Sequence, residues 1–167
     1  YCEQLHKVSF GAQDVRVEEG AFAYDGKLAA VDGMQNLTYV GDYAFAYSIL
    51  PGADLSGAAY IGTHAFYKEQ PADFELVLGA SLTELGDNPF AMCHVEPFCL
   101  VETVDFNGTA TENKTYTYDI SNSVKIIDGS VYCRTGNGLE LITYAGTDGR
   151  DMKVAGGTVR ITALAFA

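Results

Sequence analysis

A short phenylalanine motif occurs five times in this chain, and the first four copies follow one another at similar intervals. An aliphatic residue stands five positions before each phenylalanine, and alanine or proline stands immediately before it. The phenylalanines are Phe22, Phe45, Phe66, Phe90 and Phe166, and the first four are 23, 21 and 24 residues apart. A period of about 20 to 29 residues is typical of a solenoid, in which each coil buries its apolar side chains against neighbouring coils. The repeat therefore predicts a stack of coils with the benzyl rings aligned between them.

An alternating pattern in the repeats predicts β-strands. Apolar and polar residues alternate in residues 8–10, 53–55, 104–106 and 152–154, and this period of two gives a strand one buried face. The segment Gly-x-x-Ala-Phe that follows predicts a short helical turn on the other side of the coil, with Asp42 and Asp87 near its positive end. The coils are expected at about residues 1–24, 25–47, 48–68, 69–92 and 93–106, with a last repeat at 150–167.

Residues 107–149 interrupt the repeats. The first part, 107–118, is polar and rich in threonine, which predicts a loop. Two runs of strand-forming residues follow at 124–132 and 139–144, and the glycine-containing residues 134–138 separate them. This arrangement predicts a β-hairpin inserted into a single domain that spans residues 1–167.

The repeat motifs resemble a known family. The pattern Cys2-x-x-Leu5-x-x-Val8-x-Phe10, followed by aliphatic-Gly-x-x-Ala-Phe, resembles the BspA-type leucine-rich repeat of surface and secreted proteins in bacteria and some protists. The resemblance covers about residues 1–106 and 150–167, and the hairpin region also resembles a coil that recurs in such arrays. Both ends of the chain fall inside a repeat without a polar cap, so we expect a fragment of a longer array.

The resemblance has consequences for fold and function. It implies an α/β solenoid of the leucine-rich-repeat type, a right-handed coil with short parallel strands on one face, short helical turns on the other, and the inserted β-hairpin. It also implies a non-catalytic recognition or adhesion module, secreted or at a cell surface. Its expected partner is a protein or a glycan at that surface or in the surrounding matrix.

Charge and motifs exclude several other classes of function. The 167 residues carry a formal net charge of −12, which opposes binding to nucleic acid. The chain has no apolar run near the roughly 18 residues of a membrane span. It contains no phosphate-binding loop, nucleophile elbow or zinc-protease motif. We therefore predict neither an enzyme nor a cofactor-binding protein.

The cysteine spacing gives no metal or redox motif. Cys2, Cys93, Cys99 and Cys133 form no Cys-x-x-Cys pair. The repeat register places Cys2 and Cys93 at similar positions four coils apart, roughly 19 Å at about 4.8 Å per coil, which is beyond disulfide reach. We predict buried free thiols and no metal site, with a Cys93–Cys99 bridge as the open alternative for an exported protein.

Strand alternation also predicts which side chains point away from the core. The middle positions of the strand triplets would form a strip on the concave face, namely Ser9, Asp32, Asp54, Val77, Asp105 and Lys153. Asp32 and Asp54 would lie in adjacent coils and repel one another unless solvent, a cation or a basic partner relieved them. The strip is therefore either an acidic binding surface or an ordinary solvated face that keeps the sheet edges soluble.

Two alternatives to protein recognition stay open. The segment is a structural spacer that displays another domain, or it binds carbohydrate through tyrosines of the hairpin region, Tyr116, Tyr118, Tyr132 and Tyr144. Tyr24 and Tyr47, two positions after their phenylalanines, form either a stacking platform for a ligand or packing between coils.

Overall fold

The computed structural model describes residues 4–11, 13–70, 72–95, 99–100, 117–119, 121, 123–127, 130–144, 154–163 and 165–166. Within them the strands are, in chain order, β1 (Lys7–Ser9), β2 (Val15–Val17), β3 (Ala30–Asp32), β4 (Leu37–Val40), β5 (Gly52–Leu55), β6 (Tyr60–Ile61), β7 (Ala72–Leu78), β8 (Glu84–Leu85), β9 (Cys93–Val95), β10 (Cys99–Leu100), β11 (Thr117–Asp119), β12 (Val124–Ile127), β13 (Ser130–Thr135), β14 (Gly138–Thr143) and β15 (Thr158–Ile161). A short 3-10 helix, Met34–Asn36, lies between β3 and β4.

Successive coils contribute strands to two rows. The first strand face consists of β1 and β3, followed by β5 and β7, with β9 and β10 both paired to β7. The second strand face consists of β2, β4, β6 and β8. All of these pairs are parallel. Parallel pairing of strands about one repeat apart confirms a solenoid, of about five turns.

The third side of each coil is built from tight turns, so the predicted helical turns are wrong. In the second coil, Tyr43 and Tyr47 have positive φ values of 55° and 64°, and this left-handed backbone prevents a continuous helix. Two consecutive turns form instead, and alternate amides point to the next coil. Phe45 N donates to Ala65 O at 2.8 Å, and Tyr47 N donates to Tyr67 O at 2.8 Å. The described fold is therefore a β-solenoid with almost no helix rather than an α/β one.

The phenylalanines form the aligned row that the repeat predicts. This phenylalanine ladder consists of Phe22, Phe45, Phe66 and Phe90, with successive ring centroids 5.2, 5.2 and 5.8 Å apart and ring planes within 18° of parallel. The last three rings are at most 1% exposed. Alanine neighbours of the rings, such as Ala44 and Ala65, are fully buried, because only a small side chain fits where the coils approach so closely.

The predicted hairpin is present and belongs to a larger sheet. β13 and β14 pair in antiparallel fashion, and the sheet order is β11-β12-β13-β14-β15, with β15 parallel to β14. The predicted run 124–132 divides into β12 and β13, which pair in antiparallel fashion with Ile127 opposite Ser130. The buried side chains of Val124, Val131 and Ile142 belong to the same core as the coils, so this sheet continues the stack.

Tyr144 takes the place of a ladder phenylalanine in the coil before Phe166. Its amide donates to Ala165 O at 2.7 Å, just as the amide of Phe45 donates to Ala65 O. Its ring lies 5.3 Å from that of Phe166. The residue after β14 therefore continues the stack of aromatic rings into the last coil.

Polar contacts join the hairpin sheet to the preceding coils. The Arg160 guanidinium donates to both carboxylate oxygens of Asp87 at 2.8 and 3.0 Å and to Glu140 Oε2 at 3.0 Å. Deeper in the structure, Thr143 Oγ1 donates to Asn88 Oδ1 at 2.8 Å, and both residues are buried. Because one partner precedes the insertion and the other lies within it, this bond fixes the sheet against the solenoid.

Removing this buried bond has a measurable cost. Thr143→Val keeps the shape of the side chain and removes the hydroxyl, and we expect the free energy of unfolding to fall by about 1 kcal/mol. The matched control is Thr83→Val, because the Thr83 hydroxyl bonds Ala59 O in an exposed setting and its loss should change stability by less than about 0.5 kcal/mol. Urea denaturation measures both, and equal effects would contradict a structural role for the buried bond.

Candidate binding surface

The described part of the predicted concave strip lies on the first strand face with its side chains outward. Ser9 and Asp32 are paired residues in β1 and β3, and Asp54 and Val77 are paired residues in β5 and β7. Ser9, Asp32 and Asp54 are exposed, and Val77 is half-buried. The other two predicted residues, Asp105 and Lys153, lie outside the described residues.

A neighbouring lysine relieves the charge of Asp32. Lys7 Nζ lies 2.6 Å from Asp32 Oδ2, and Ser9 Oγ donates to the same oxygen at 3.3 Å. Hydrogen bonding from Lys7 lowers the pKa of Asp32 below its ordinary value, so the carboxylate stays ionised. Asp54 accepts a bond from its own turn, Ser56 N to Oδ1 at 3.1 Å. The carboxylates are held in place and exposed to solvent.

The first strand face is interrupted between the coils that carry Asp32 and Asp54. Among the described strands, β3 pairs only with β1, and β5 pairs only with β7. The same two coils bond normally on both sides of this interruption, through Ile49 N to Leu28 O at 3.2 Å and Ala59 N to Thr38 O at 2.9 Å. The coils therefore separate only along β3 and β5, and they leave facing strand edges.

This separation creates a cleft of about 370 Å³, which we call the β3–β5 cleft. Its walls include the buried side chains of Met34, Leu50 and Ala53. The polar lining residues are listed here: Asp32, Gln35, Asp54 and Glu75. The cleft thus combines an apolar interior with three carboxylates and contains no cationic lining residue among those described. Its volume lies within the range of ordinary ligand sites.

The second strand face carries a row of stacked side chains. The Arg16 guanidinium carbon lies 3.8 Å from the centre of the Tyr39 ring, and the Tyr39 and Tyr60 rings stack at 4.8 Å. Both faces of the Tyr39 ring are therefore covered by neighbouring coils. Burial raises the pKa of Tyr60 to about 12, with the nearby Asp42 carboxylate adding to the effect. The Tyr39 ring is therefore held inside the stack, between Arg16 and Tyr60.

Tyr24 and Tyr47 pack between coils, which was one of the two sequence interpretations. Their rings stack at 4.3 Å, and the Tyr67 ring follows at 5.1 Å. Tyr24 is 53% exposed, but the ring of Tyr47 is enclosed by its two neighbours. A ligand would meet ring edges rather than a continuous platform of ring faces.

The tyrosines of the carbohydrate hypothesis do not form one exposed set. Tyr132 is 1% exposed, so its ring offers no face to a sugar. Tyr144 is half-buried against Phe166 as a ladder rung. Tyr118 lies in β11, on the far side of β12 and β13 from β14, and Tyr116 lies outside the described residues. Burial of Tyr132 removes it from the predicted sugar-binding group.

A lysine and a cysteine are buried beside the phenylalanine ladder. Lys68 is 5% exposed, and its ammonium donates to Ser48 O at 3.0 Å and to Leu50 O at 2.7 Å. Burial lowers the pKa of Lys68.

Cys93 and Cys133 are free, buried thiols, so the alternative Cys93–Cys99 bridge is wrong. Cys93 pairs with Ala72 and Cys99 with Val77, and five residues along β7 are too far apart for a disulfide.

Burial controls the chemistry of the Cys93 thiol. It raises the pKa of Cys93 to about 12 from its ordinary value of 9.0, so the folded thiol stays protonated while the unfolded thiol ionises. The associated stability is present below pH 9 and is lost as the pH rises towards 12. We expect iodoacetamide at pH 8 to modify the Cys93 peptide slowly in the folded protein and rapidly in denaturant. Equal rates in mass spectrometry would contradict the buried position.

Metal-binding clusters and membrane-spanning helices are both absent from the described residues. Among them, no group of three or more histidine, cysteine, aspartate or glutamate side chains is arranged to hold a metal ion. Nor does any helix in this part of the chain have the length and apolarity needed to cross a bilayer.

The fold and its surface define a β-solenoid repeat protein, in which outward strand faces provide the accessible area. The chain belongs to the BspA-type leucine-rich repeat family. The model of the BspA type leucine rich repeat region matches residues 1–125 and 54–147, with six copies. Comparisons with curated proteins and with solved structures gave no match. The family is associated with bacterial surface proteins, and its repeats are typically a non-catalytic binding scaffold.

Proposed function

We propose that this chain is a non-catalytic, extracellular recognition or adhesion module that binds protein partners through its first strand face. The observation that carries the proposal is the β3–β5 cleft, where an apolar interior opens between exposed carboxylates. On the second strand face the coils instead close the surface by stacking side chains on the next coil, as Tyr39 does between Arg16 and Tyr60. An unclosed site on an otherwise paired face is where a partner can gain both apolar contact and charge complementarity.

The partner is expected at a cell surface or in the surrounding matrix, in accordance with the family's association with surface proteins. The carboxylates of Asp54 and Glu75 have no cationic partner among the described ion pairs. A basic surface on the partner would supply one, and the net charge of −12 would speed its approach at low ionic strength. A spacer would need neither the cleft nor these charges.

The proposal is tested with a triple variant of the cleft. Asp32→Asn, Asp54→Asn and Glu75→Gln remove three negative charges, and we expect at least about a tenfold loss of binding to purified cell-surface or matrix proteins. The control variant Glu19→Gln, Glu69→Gln and Glu84→Gln removes three exposed charges elsewhere and should change binding less than about threefold. Surface plasmon resonance measures both. Absence of any binding by the unmodified chain favours the spacer, and equal losses in both variants contradict recognition through the first strand face.

A further inference from the structure

We propose that the β3–β5 cleft binds an extended peptide segment of the partner, with alternating basic and apolar residues, as an added β-strand. This inference rests on the proposed function and specifies its ligand. β3 and β5 are neighbours in the coil order, yet within the described residues no ladder joins them. Exposed strand edges accept extended peptides because their backbone groups lack partners.

The geometry of the two coils shows why this interruption accommodates a strand. On the second strand face the same coils pair directly, Tyr39 with Tyr60 and Val40 with Ile61. On the turn side they are joined by Phe45 N to Ala65 O and Tyr47 N to Tyr67 O. The separation is confined to the first strand face, where the cleft of about 370 Å³ lies. An inserted segment would restore the ladder that every other pair of adjacent coils in this part of the chain possesses.

Side-chain alternation on the flanking strands predicts the sequence of the segment. In β5, Ala53 and Leu55 are buried and Asp54 is exposed. In β3, Val31 packs against the core and Asp32 is exposed. A strand between them has side chains that alternate in the same way. Its inward residues would contact Val31 and Ala53, and its outward residues would lie beside Asp32 and Asp54, where lysine or arginine is complementary.

Glu75 extends the acidic surface on one side of the cleft. It is exposed, and it pairs with Gly52 of β5. Because Gly52 has no side chain, nothing from that position stands between Glu75 and the cleft. Asp32 is paired with Lys7, so the carboxylates of Asp54 and Glu75, which have no cationic partner among the described ion pairs, would lie beside a segment with two basic side chains.

Synthetic peptides test the inference directly. The probe is an acetylated, amidated peptide Val-Lys-Val-Lys-Val, compared with a peptide of the same composition in block order, Val-Val-Val-Lys-Lys. We expect the alternating peptide to bind at least about fivefold more tightly by isothermal titration calorimetry, because only it places apolar and basic groups on opposite faces. A version with N-methyl groups on alternate residues, facing one strand edge, should bind about tenfold more weakly, since it cannot donate to that edge.

Variants and amide exchange locate the peptide. Asp32→Asn with Asp54→Asn should weaken the alternating peptide by about five- to tenfold, and Ala30→Tyr should block the cleft from its rim. The amides of Val31 and Gly52 should become protected from hydrogen exchange when the peptide is bound. Circular dichroism confirms that each variant is folded before its affinity is interpreted.

The outcomes separate the inference from the proposed function. Equal affinity for the alternating, block and N-methylated peptides, or no protection of Val31 and Gly52, overturns strand addition. If the cleft variant loses its binding to surface or matrix proteins while the peptide does not bind, the proposed function stands and the peptide inference is wrong. If the peptide binds as described but no surface protein does, the cleft has its predicted ligand and the extracellular role is wrong.

Discussion

Replacing Phe66 with alanine is expected to lower the free energy of unfolding by about 3 to 5 kcal/mol. Phe66 is fully buried, and its ring lies between those of Phe45 and Phe90, with the Phe74 ring 5.6 Å away. Alanine would remove the transfer free energy of the benzyl group and leave a cavity that neighbouring coils cannot close. Hydrogen bonds such as Phe45 N to Ala65 O fix the spacing between the coil backbones, so the coils cannot move closer to fill the cavity. Equilibrium urea unfolding measures the change.

Phe166→Ala is the matched control for this variant. Phe166 has the same place in its motif, but it is 55% exposed and contacts the ring of Tyr144 alone among the described aromatic pairs. We expect a loss of about 1 kcal/mol or less. Similar losses for Phe66→Ala and Phe166→Ala would mean that burial in the ladder does not determine stability.

Replacing Gly41 with alanine is expected to cost about 1 to 3 kcal/mol, although it adds only a methyl group. A Cβ atom at this position would lie 2.5 Å from Glu19 N and 2.7 Å from Glu18 C. These are backbone atoms of the preceding coil, so a side-chain rotation cannot make room. The same close approach explains the recurrent aliphatic-Gly motif at Gly62 and Gly86. In the first coil Glu18 occupies this place, because β2 begins its row and has no earlier described strand behind it.

Gly26→Ala separates steric conflict from a general effect of glycine replacement. A Cβ atom at Gly26 would meet nothing within 4 Å, and its backbone is not left-handed. We expect a change within about 0.5 kcal/mol, of either sign. Thermal and urea unfolding of the two variants provide the comparison, and a loss at Gly26 as large as that at Gly41 would contradict close approach of the coils as the cause.

The stacked architecture could be predicted from the sequence because the residues that produce it, an aliphatic strand residue and a phenylalanine, recur with the same spacing in successive coils. Each phenylalanine stands five residues after an aliphatic strand residue, and that constant offset determines both the core strand and the ladder. The coil of Tyr144 departs from this offset, because Ile161, five residues before Phe166, pairs with Leu141, which stands only three residues before Tyr144. The altered spacing and the tyrosine in place of phenylalanine leave Tyr144 outside the repeat pattern, so the sequence groups it with the tyrosines of the hairpin region.

The helical turns were predicted wrongly for a physical reason. Gly-x-x-Ala-Phe satisfies the local pattern of a helix start, but the turn must also present alternate amides to the next coil. Tyr43, Tyr47 and His64 adopt left-handed backbone conformations to do so. Such conformations are uncommon for these residue types, and the hydrogen bonds that favour them here come from another coil. No local sequence signal contains that information.

The cleft was equally inaccessible to sequence reasoning. Alternation correctly placed Ser9, Asp32 and Asp54 outward, since it depends only on which strand face is buried. It also placed Asp32 and Asp54 in adjacent coils, but it gave no reason for β3 and β5 to separate. The partner of Asp32 was missed as well, because Lys7 lies on the neighbouring strand two residues before Ser9 and the triplets were compared only at their middle positions.

Nuclear Overhauser effects between phenylalanine rings test the stacked arrangement most directly. With selectively labelled phenylalanine, the account predicts ring-to-ring contacts for Phe22 with Phe45, Phe45 with Phe66, and Phe66 with Phe90, whose centroids lie 5.2, 5.2 and 5.8 Å apart. Phe22 and Phe66 are two coils apart and should give no direct contact. Contacts between Phe22 and Phe66 or Phe90, or their absence between successive rings, would contradict a single column of coils.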